Sequence, residues 1–500
     1  MDKDPKSPAT TSLAYDKMAP AWEKIQTVLD GTEAMRAAGT RYLPQHKYEP
    51  DEVYNERLQR STLLNMTKLT LGSWVGRPFS DPIAFDKVPK LIEDLLTDVD
   101  LVGTDVQVFA RDWFSDGLAK AFSFVYVDYP RTDDTEGVRT LAMDREEKVR
   151  PYWIHIRPEQ LFFAEAKMVQ GKEVLTEIRI MEEVIERDDF AEKCIQQIRR
   201  VFMDAQGVGN VELYQLQKVK GKEKWVKIKN YTFSLPFIPL VVFYSHREAF
   251  MSGTPPLEDL ADLNIAHWQS SADQRACLTV ARFPILSLTG GTDAEGTLKI
   301  GPNRWLHSTD PQARFAYVEH SGAAIGVGRH DLLDLQEQMG EYGAEFLRKR
   351  PGNVTATARA LDSAEATSPL QDAIIRFGCA LTLALEYTAK WMNLPEGGTA
   401  TLSTEFGPET SDQAELNTLS ATRAARDISR KAYLEELKRR GLLADEYDID
   451  EDAKLLEQEA LDLFGSAVPV LPPPPAKADE QKTDDGQPPP DENQPPPQGK

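Results

Sequence analysis

Between Thr254 and Pro395 two long helical patterns bracket a short, turn-rich, strand-like segment. The second pattern breaks at Arg348-Lys349-Arg350-Pro351-Gly352-Asn353, and a third continues to about Trp391. A helix of roughly 25 residues is about 37 Å long. The order therefore reads as a rod that goes out, makes a small knob, comes back and kinks at a basic hinge. Thr254-Pro255-Pro256 predicts the first helix start, with Thr254 as N-cap and proline in the first turn. Strands are expected at Phe283–Leu288, Thr297–Ile300, Trp305-Leu306 and Arg314–Val318, and Gly326-Val-Gly328 reads as a turn before a helix starting at Asp331. In that helix Leu332, Leu335, Met339, Tyr342 and Phe346 form a heptad-like stripe. The stripe fits an ordinary amphipathic core helix first, and otherwise packing along a neighbouring helix, including one from another subunit. The third pattern, Thr357 to Met392, carries Pro369 as an internal kink point.

The N-terminal half is α+β. Helices are predicted over Pro20–Ala38, Asp51–Val75, Val88–Thr97 and Thr104–Ala121, with Thr104 as an N-cap. Short runs rich in β-branched and aromatic residues follow: Phe122–Tyr129, Tyr152–Ile156, Val174–Glu183, Cys194–Phe202, Val211–Leu216, Trp225–Ile228 and Leu240–Tyr244. Separated by turns such as Gly207–Asn210, they predict an antiparallel sheet. After a strand at Thr399–Phe406, helical patterns occupy Gln413–Gly441, with Gly441 as a C-cap. Residues 441–460 hold eight acids against one Lys, and the last 35 residues hold 11 of the 33 prolines, a tail expected to be disordered.

The formal net charge of −22 argues against a surface that grips nucleic acid everywhere, because phosphate binding needs Lys and Arg. It does not exclude a wall that repels DNA in general and touches it locally. Cys194, Cys277 and Cys379 are far apart, with no CxxC, and are expected to be reduced and mostly buried. No signal peptide is evident, and the longest apolar stretch, Ala373–Leu385, is short and contains Arg376, so a soluble, intracellular product is expected. The chain has no GxxxxGK[ST], HExxH or Gly-x-Ser-x-Gly. His155 reads as a sheet residue, His246 as a surface group, and Asp259, Asp262 and Asp273 as a solvated helix face. Neither enzymatic activity, metal nor cofactor is expected. Arg348, Lys349 and Arg350 stand apart: they complement a helix dipole, or they form an exposed loop touching phosphate with Asn353 and Arg359.

The order of elements resembles the portal (head–tail connector) proteins of tailed bacteriophages over roughly residues 40–460. The residues that carry it are Tyr54–Leu58 through Val75-Gly-Arg-Pro-Phe79, Pro255–Trp268, Thr355-Ala-Thr357 through Ser368-Pro-Leu370, and Ile428-Ser-Arg430 with Leu437–Gly441. The resemblance implies a ring, typically of twelve subunits, at one capsid vertex of the virion, assembled in the host cytoplasm. It would conduct double-stranded DNA during packaging and ejection. Residues 1–15 are polar and expected to be disordered; the resemblance implies a wing over 16–253, stem helices at 254–282 and 331–348 and a clip at 283–330. A tunnel loop at 349–358, a wing helix and return over 359–409 and a crown at 410–465 complete it, and the proline tail 466–500 has no counterpart in the family. Implied partners are the terminase large subunit, capsid and scaffold proteins, and a head–tail adaptor. Another phage head, minor capsid or scaffold protein without a DNA channel is the competing reading, and a nucleic-acid-processing enzyme a third.

Overall fold

A computed structural model describes residues 4–130, 149–169, 171–219, 221–282, 285–289, 311–318, 322–345, 368–404, 413–439, 443 and 447–465. The chain divides into two compact units, Met1–Gly407 and Pro408–Lys500.

The first unit opens with α1 (Leu13–Asp30) and α2 (Thr32–Ala38), where a single helix from Pro20 was expected. Ser12 caps α1 by accepting from the Tyr15 amide, so Pro20 lies inside the helix, and Gly31 at φ 90° separates the two. The predicted Asp51–Val75 helix is likewise two, α3 (Asp51–Arg60) and α4 (Met66–Gly76). Asn65 splits them: its side chain accepts from the Lys68 amide and donates to the Val28 carbonyl at 2.6 Å. Then come β1 (Ala84–Asp86), α5 (Lys90–Glu93) and α6 (Val106–Lys120). Asp105, not Thr104, caps α6, because its carboxylate accepts from the Gln107 amide at 2.8 Å.

Next are β2 (Phe122–Asp128), β3 (Tyr152–Ile156), β4 (Leu161–Val169), β5 (Lys172–Asp188), β6 (Ala191–Met203), β7 (Gly209–Val219), β8 (Lys222–Phe233) and β9 (Leu240–Tyr244). They form two antiparallel sheets, ordered β3-β2-β9 and β4-β5-β6-β7-β8. Strand β4 was not anticipated, since Ala164-Glu-Ala-Lys-Met168 carries helix formers. Alternation along β2 feeds two cores. Val125 and Val127 join α6 and the helical layer, while Phe122, Phe124 and Tyr126 pack on Ile178, Ile180, Val201 and Val211 of the larger sheet. The result is helices on a three-stranded sheet on a five-stranded sheet.

The unit continues with α7 (Glu258–Ala281), the hairpin β10 (Ile285–Thr289) and β11 (Arg314–Val318), then α8 (Ala323–Glu345), α9 (Pro369–Trp391) and β12 (Thr399–Thr401). Pro369 is the first residue of α9, not a kink within it: Ser368 and Gln371 form a reciprocal capping box around it. The helix packs against β2, β9 and α6, and its Phe377 ring lies 5.0 Å from Phe114 and 4.9 Å from Phe243. Trp391 Nε1 donates to the Val127 carbonyl at 2.9 Å. Strand β12 pairs with β1.

The second unit contains α10 (Gln413–Ala424), α11 (Arg430–Arg439) and α12 (Ile449–Gly465). Arg430 with Asp452, and Lys431 with Asp450 at 3.2 Å, join α11 to α12. Asp450, Glu451 and Asp452 occupy the first turn of α12, where the helix dipole favours carboxylates. Gly441 and the proline tail lie outside the described residues, as do the strands expected at 297–300 and 305–306.

Two expectations about side chains fail or hold plainly. The cysteines are free but not mostly buried: Cys194 and Cys379 are exposed and Cys277 is half-buried, because Cys379 faces outward on α9 and Cys194 lies on β6 past the end of β7. His246 is exposed at the end of β9, as expected. Among the described residues no helix is long and apolar enough to cross a membrane.

Candidate functional site

Helices α7 and α8, joined through the β10–β11 hairpin, make the rod and knob of the sequence. Their contacts run antiparallel. Tyr342 Oη donates to the Pro256 carbonyl at 3.0 Å, Gln336 Nε2 meets His267 Nε2 at 3.1 Å, Ser270 bonds Asp331, and Gln274 Nε2 donates to the Ile325 carbonyl at 2.9 Å. The helix α8 starts at Ala323, eight residues before the predicted start, so Gly326 and Gly328 are helical rather than a turn. Close approach explains Gly328: a Cβ there would come 2.2 Å from Gln274 Oε1. The hairpin is in register from Ile285 opposite Val318 to Thr289 opposite Arg314.

The N-terminal end of α7 has no side-chain cap. Thr254 instead donates to Glu248, and Leu257 occupies the N-cap position. Buried polar groups hold α7 to the helices beneath it. Asn264 is fully buried; its Oδ1 accepts from the Thr67 amide and hydroxyl at 3.1 and 3.0 Å, and its amide donates to the Leu64 carbonyl at 2.8 Å. It thereby satisfies a donor in the first turn of α4 that no helix can satisfy internally. Arg57 donates to Glu49 at 2.8 and 2.7 Å and to Asp273 of α7 at 3.1 Å. Those hydrogen bonds hold the Glu49 carboxyl below the usual range. Lys24 of α1 bridges Glu258 and Asp262. The three aspartates expected on a solvated face are exposed, yet Asp262 and Asp273 are committed to these ion pairs.

Of the predicted stripe, Met339 is fully buried, Tyr342 packs against the same core, and Leu332 and Leu335 are half-buried. Phe346 lies outside the described residues. Within one chain α8 also meets α4, where Trp74 Nε1 donates to the Gly343 carbonyl at 3.1 Å. The opposite face of α8 is exposed and acidic: Asp334, Glu337 and Glu341 recur at helical spacing. Sequence reasoning followed the apolar stripe and passed over this acidic one, whose spacing was equally visible. Arg348, Lys349, Arg350, Asn353 and Arg359 all lie outside the described residues.

A second titratable cluster lies between α6 and β3. Lys120, 1% exposed, pairs with Glu159, and His155 Nε2 is 3.3 Å from Asp116 Oδ2, with Arg157 3.5 Å from the same oxygen. Burial raises the Asp116 pKa and lowers that of His155 to about 4, with Arg157 adding to the effect on the imidazole. Among the described residues no group of three or more His, Cys, Asp or Glu is placed to hold a metal.

A family described as a domain of unknown function (DUF4055) matches residues 256–392, the span from α7 through α9. No curated protein matches the chain. A solved structure described as the neck of an empty GTA particle computed with C6 symmetry is similar over 82% of this chain and 98% of its own, at 13% identity and TM-score 0.39. A second, the neck of a native GTA particle computed with C12 symmetry, is similar over 75% and 89%, at 12% identity and TM-score 0.39. A third, the virion of a native gene transfer agent particle, covers 86% and 99%, at 13% identity and TM-score 0.36. At such TM-scores the likeness bears on neither the fold nor the function.

Proposed function

We propose that this chain is a structural component of the head and neck of a phage-like particle and, more finely, its portal. In this reading it forms a homo-oligomeric ring through which double-stranded DNA is packaged and ejected. The observation that carries the reading is the antiparallel pair α7 and α8, ended by a hairpin and anchored on one side, with an acidic stripe exposed on the other. A ring of such pairs gives a stiff wall, and exposed carboxylates limit adhesion to a polyanion passing along it. Sparse basic contacts from Arg348, Lys349 and Arg350 would touch phosphate reversibly, since each firm phosphate contact adds salt-dependent affinity and hinders sliding. The α7–α8 hairpin end would meet the terminase and later an adaptor. The energy for translocation would come from the partner ATPase, and no catalytic step is assigned to this chain.

Electron microscopy of the purified protein tests the reading. Rings with a central opening are expected. A monomer or dimer at every concentration and salt, with no ring, would sink it.

A further inference from the structure

The five-stranded sheet ends in two arms that outrun their neighbours. Strand β4 covers β5 only from Lys172 to Ile180, and β7 covers β6 only from Gln197 to Met203. The Met181 amide still donates to the Gln160 carbonyl and Glu182 is held by Arg199, but from Glu183 to Gln196 the β5–β6 hairpin pairs only with itself, about six residues or roughly 20 Å of two-stranded ribbon. The β7–β8 hairpin does the same over Gln217–Val219 and Lys222–Lys224, beyond Trp225, which packs back on the sheet. Strands β5 and β7 run in the same direction, so both arms leave the sheet at one end. A two-stranded ribbon is marginal in water without a covering partner, and the first arm ends in Phe190, 101% exposed, with Ile185 67% exposed.

Charge separates the arms by sign. Residues 183–193 hold five acids against two bases, and residues 216–225 hold four lysines against one glutamate. Charges of either sign would suffice to keep free strand edges from aggregating. Segregation by sign is a further property, and among the described residues no ion pair joins one arm to the other. The complementary surface for each arm is thus present on the chain but not used within it.

We propose that the acidic β5–β6 arm of one copy seats beside the basic β7–β8 arm of a neighbouring copy, which also covers Phe190. Different patches then meet across each contact, the arrangement that closes into a ring when its rotation permits. The inference deepens the ring reading by naming its contact and rests on that reading only for the number of copies.

The test uses two full-length variants, Glu183→Lys/Glu186→Lys/Glu192→Lys and Lys218→Glu/Lys222→Glu/Lys224→Glu, with folding checked by circular dichroism. Sedimentation velocity at low salt should show each variant self-associating about tenfold or more weakly than the native chain. Mixed in equal amounts the two should reassociate, because each now carries arms of a single, opposite sign. Phe190→Ser should weaken association at high salt as well. Native association in both variants, or no recovery on mixing folded variants, overturns the proposal. So does a lysine-reversed variant that loses binding to short double-stranded DNA while assembling normally. Rings that persist in both variants remove the arms and leave the ring reading standing. A native chain that forms no ring, but whose variants complement in smaller oligomers, removes the ring and leaves the arms.

Discussion

Arg57 is the joint between the N-terminal helices and α7, and its replacement by Met should be costly. Its side chain is 4% exposed and that of Glu49 is 7% exposed. The guanidinium makes two hydrogen bonds to Glu49, one to the Pro44 carbonyl at 2.9 Å and one to Asp273. Arg57→Met keeps much of the apolar stem but leaves the Glu49 carboxylate buried with the His46 amide, at 3.1 Å, as its remaining hydrogen-bond donor. Removing one partner of a buried pair costs about 3–5 kcal/mol, whereas replacing both with apolar groups is often close to neutral. Asp273, 49% exposed, adds about 0–1 kcal/mol. A chain with two compact units does not unfold in one step, so the measurement is hydrogen exchange in urea on peptides covering residues 49–60 and 258–281. Arg57→Met should lose about 3–5 kcal/mol of protection there, and Arg57→Met/Glu49→Leu should recover most of it. The pH dependence has a defined sign. The folded Glu49 pKa is lowered, so the pair's stability is present above the unfolded value near 4.5 and lost as pH falls through the folded value. In Arg57→Met the buried carboxyl lacks its cation, and acid should stabilise rather than destabilise it. A single-variant cost below about 1 kcal/mol, the range of exposed pairs, would refute the argument.

Asn264→Ala strands the Thr67 amide and the Leu64 carbonyl in the core and should cost about 2–4 kcal/mol, read by the same exchange experiment on residues 64–76. His155 should stay neutral until pH nears about 4, followed by its ring resonances in NMR. Its folded pKa lies below the unfolded value near 6.5, so its share of stability is full above about 6.5 and lost as pH falls towards 4; His155→Gln should abolish that component. Changing Arg348, Lys349 and Arg350 together to Ala should leave rings intact and reduce DNA packaging or retention. Unaltered packaging would remove these residues from the DNA contacts.

The elements with strong periodicity were legible: β3, β9 and β11 have the predicted bounds, and α7 and α9 end within a residue or so of the predicted positions. Helix starts were not. Asp105 displaced Thr104 because one carboxylate reached an amide, and Leu257 displaced Thr254 because Glu248 captured that hydroxyl. Both choices depend on neighbours rather than on residue type. Gly326 and Gly328 read as a turn because their reason for being glycine, the approach of Gln274, is a tertiary fact. The same holds for the buried Arg57 and Asn264, whose partners lie up to about 200 residues away in sequence. The acidic stripe of α8 was a different case, since its spacing was open to view and only the apolar one was followed.

The placement of α9 at the centre of the first unit has a consequence for synthesis. Phe377 completes a cluster that includes Phe114 of α6 and Phe243 of β9. On a ribosome adding about 5–20 residues per second, Phe114 waits roughly 13–50 s for it. From the completion of β9, for roughly 7–27 s of that interval, the three-stranded sheet presents an uncovered aromatic face to solvent, and no partial chain shorter than about residue 391 can cover it. Truncations that remove the second unit should therefore be well tolerated in yield, whereas those ending before α9 should be captured by chaperones or lost.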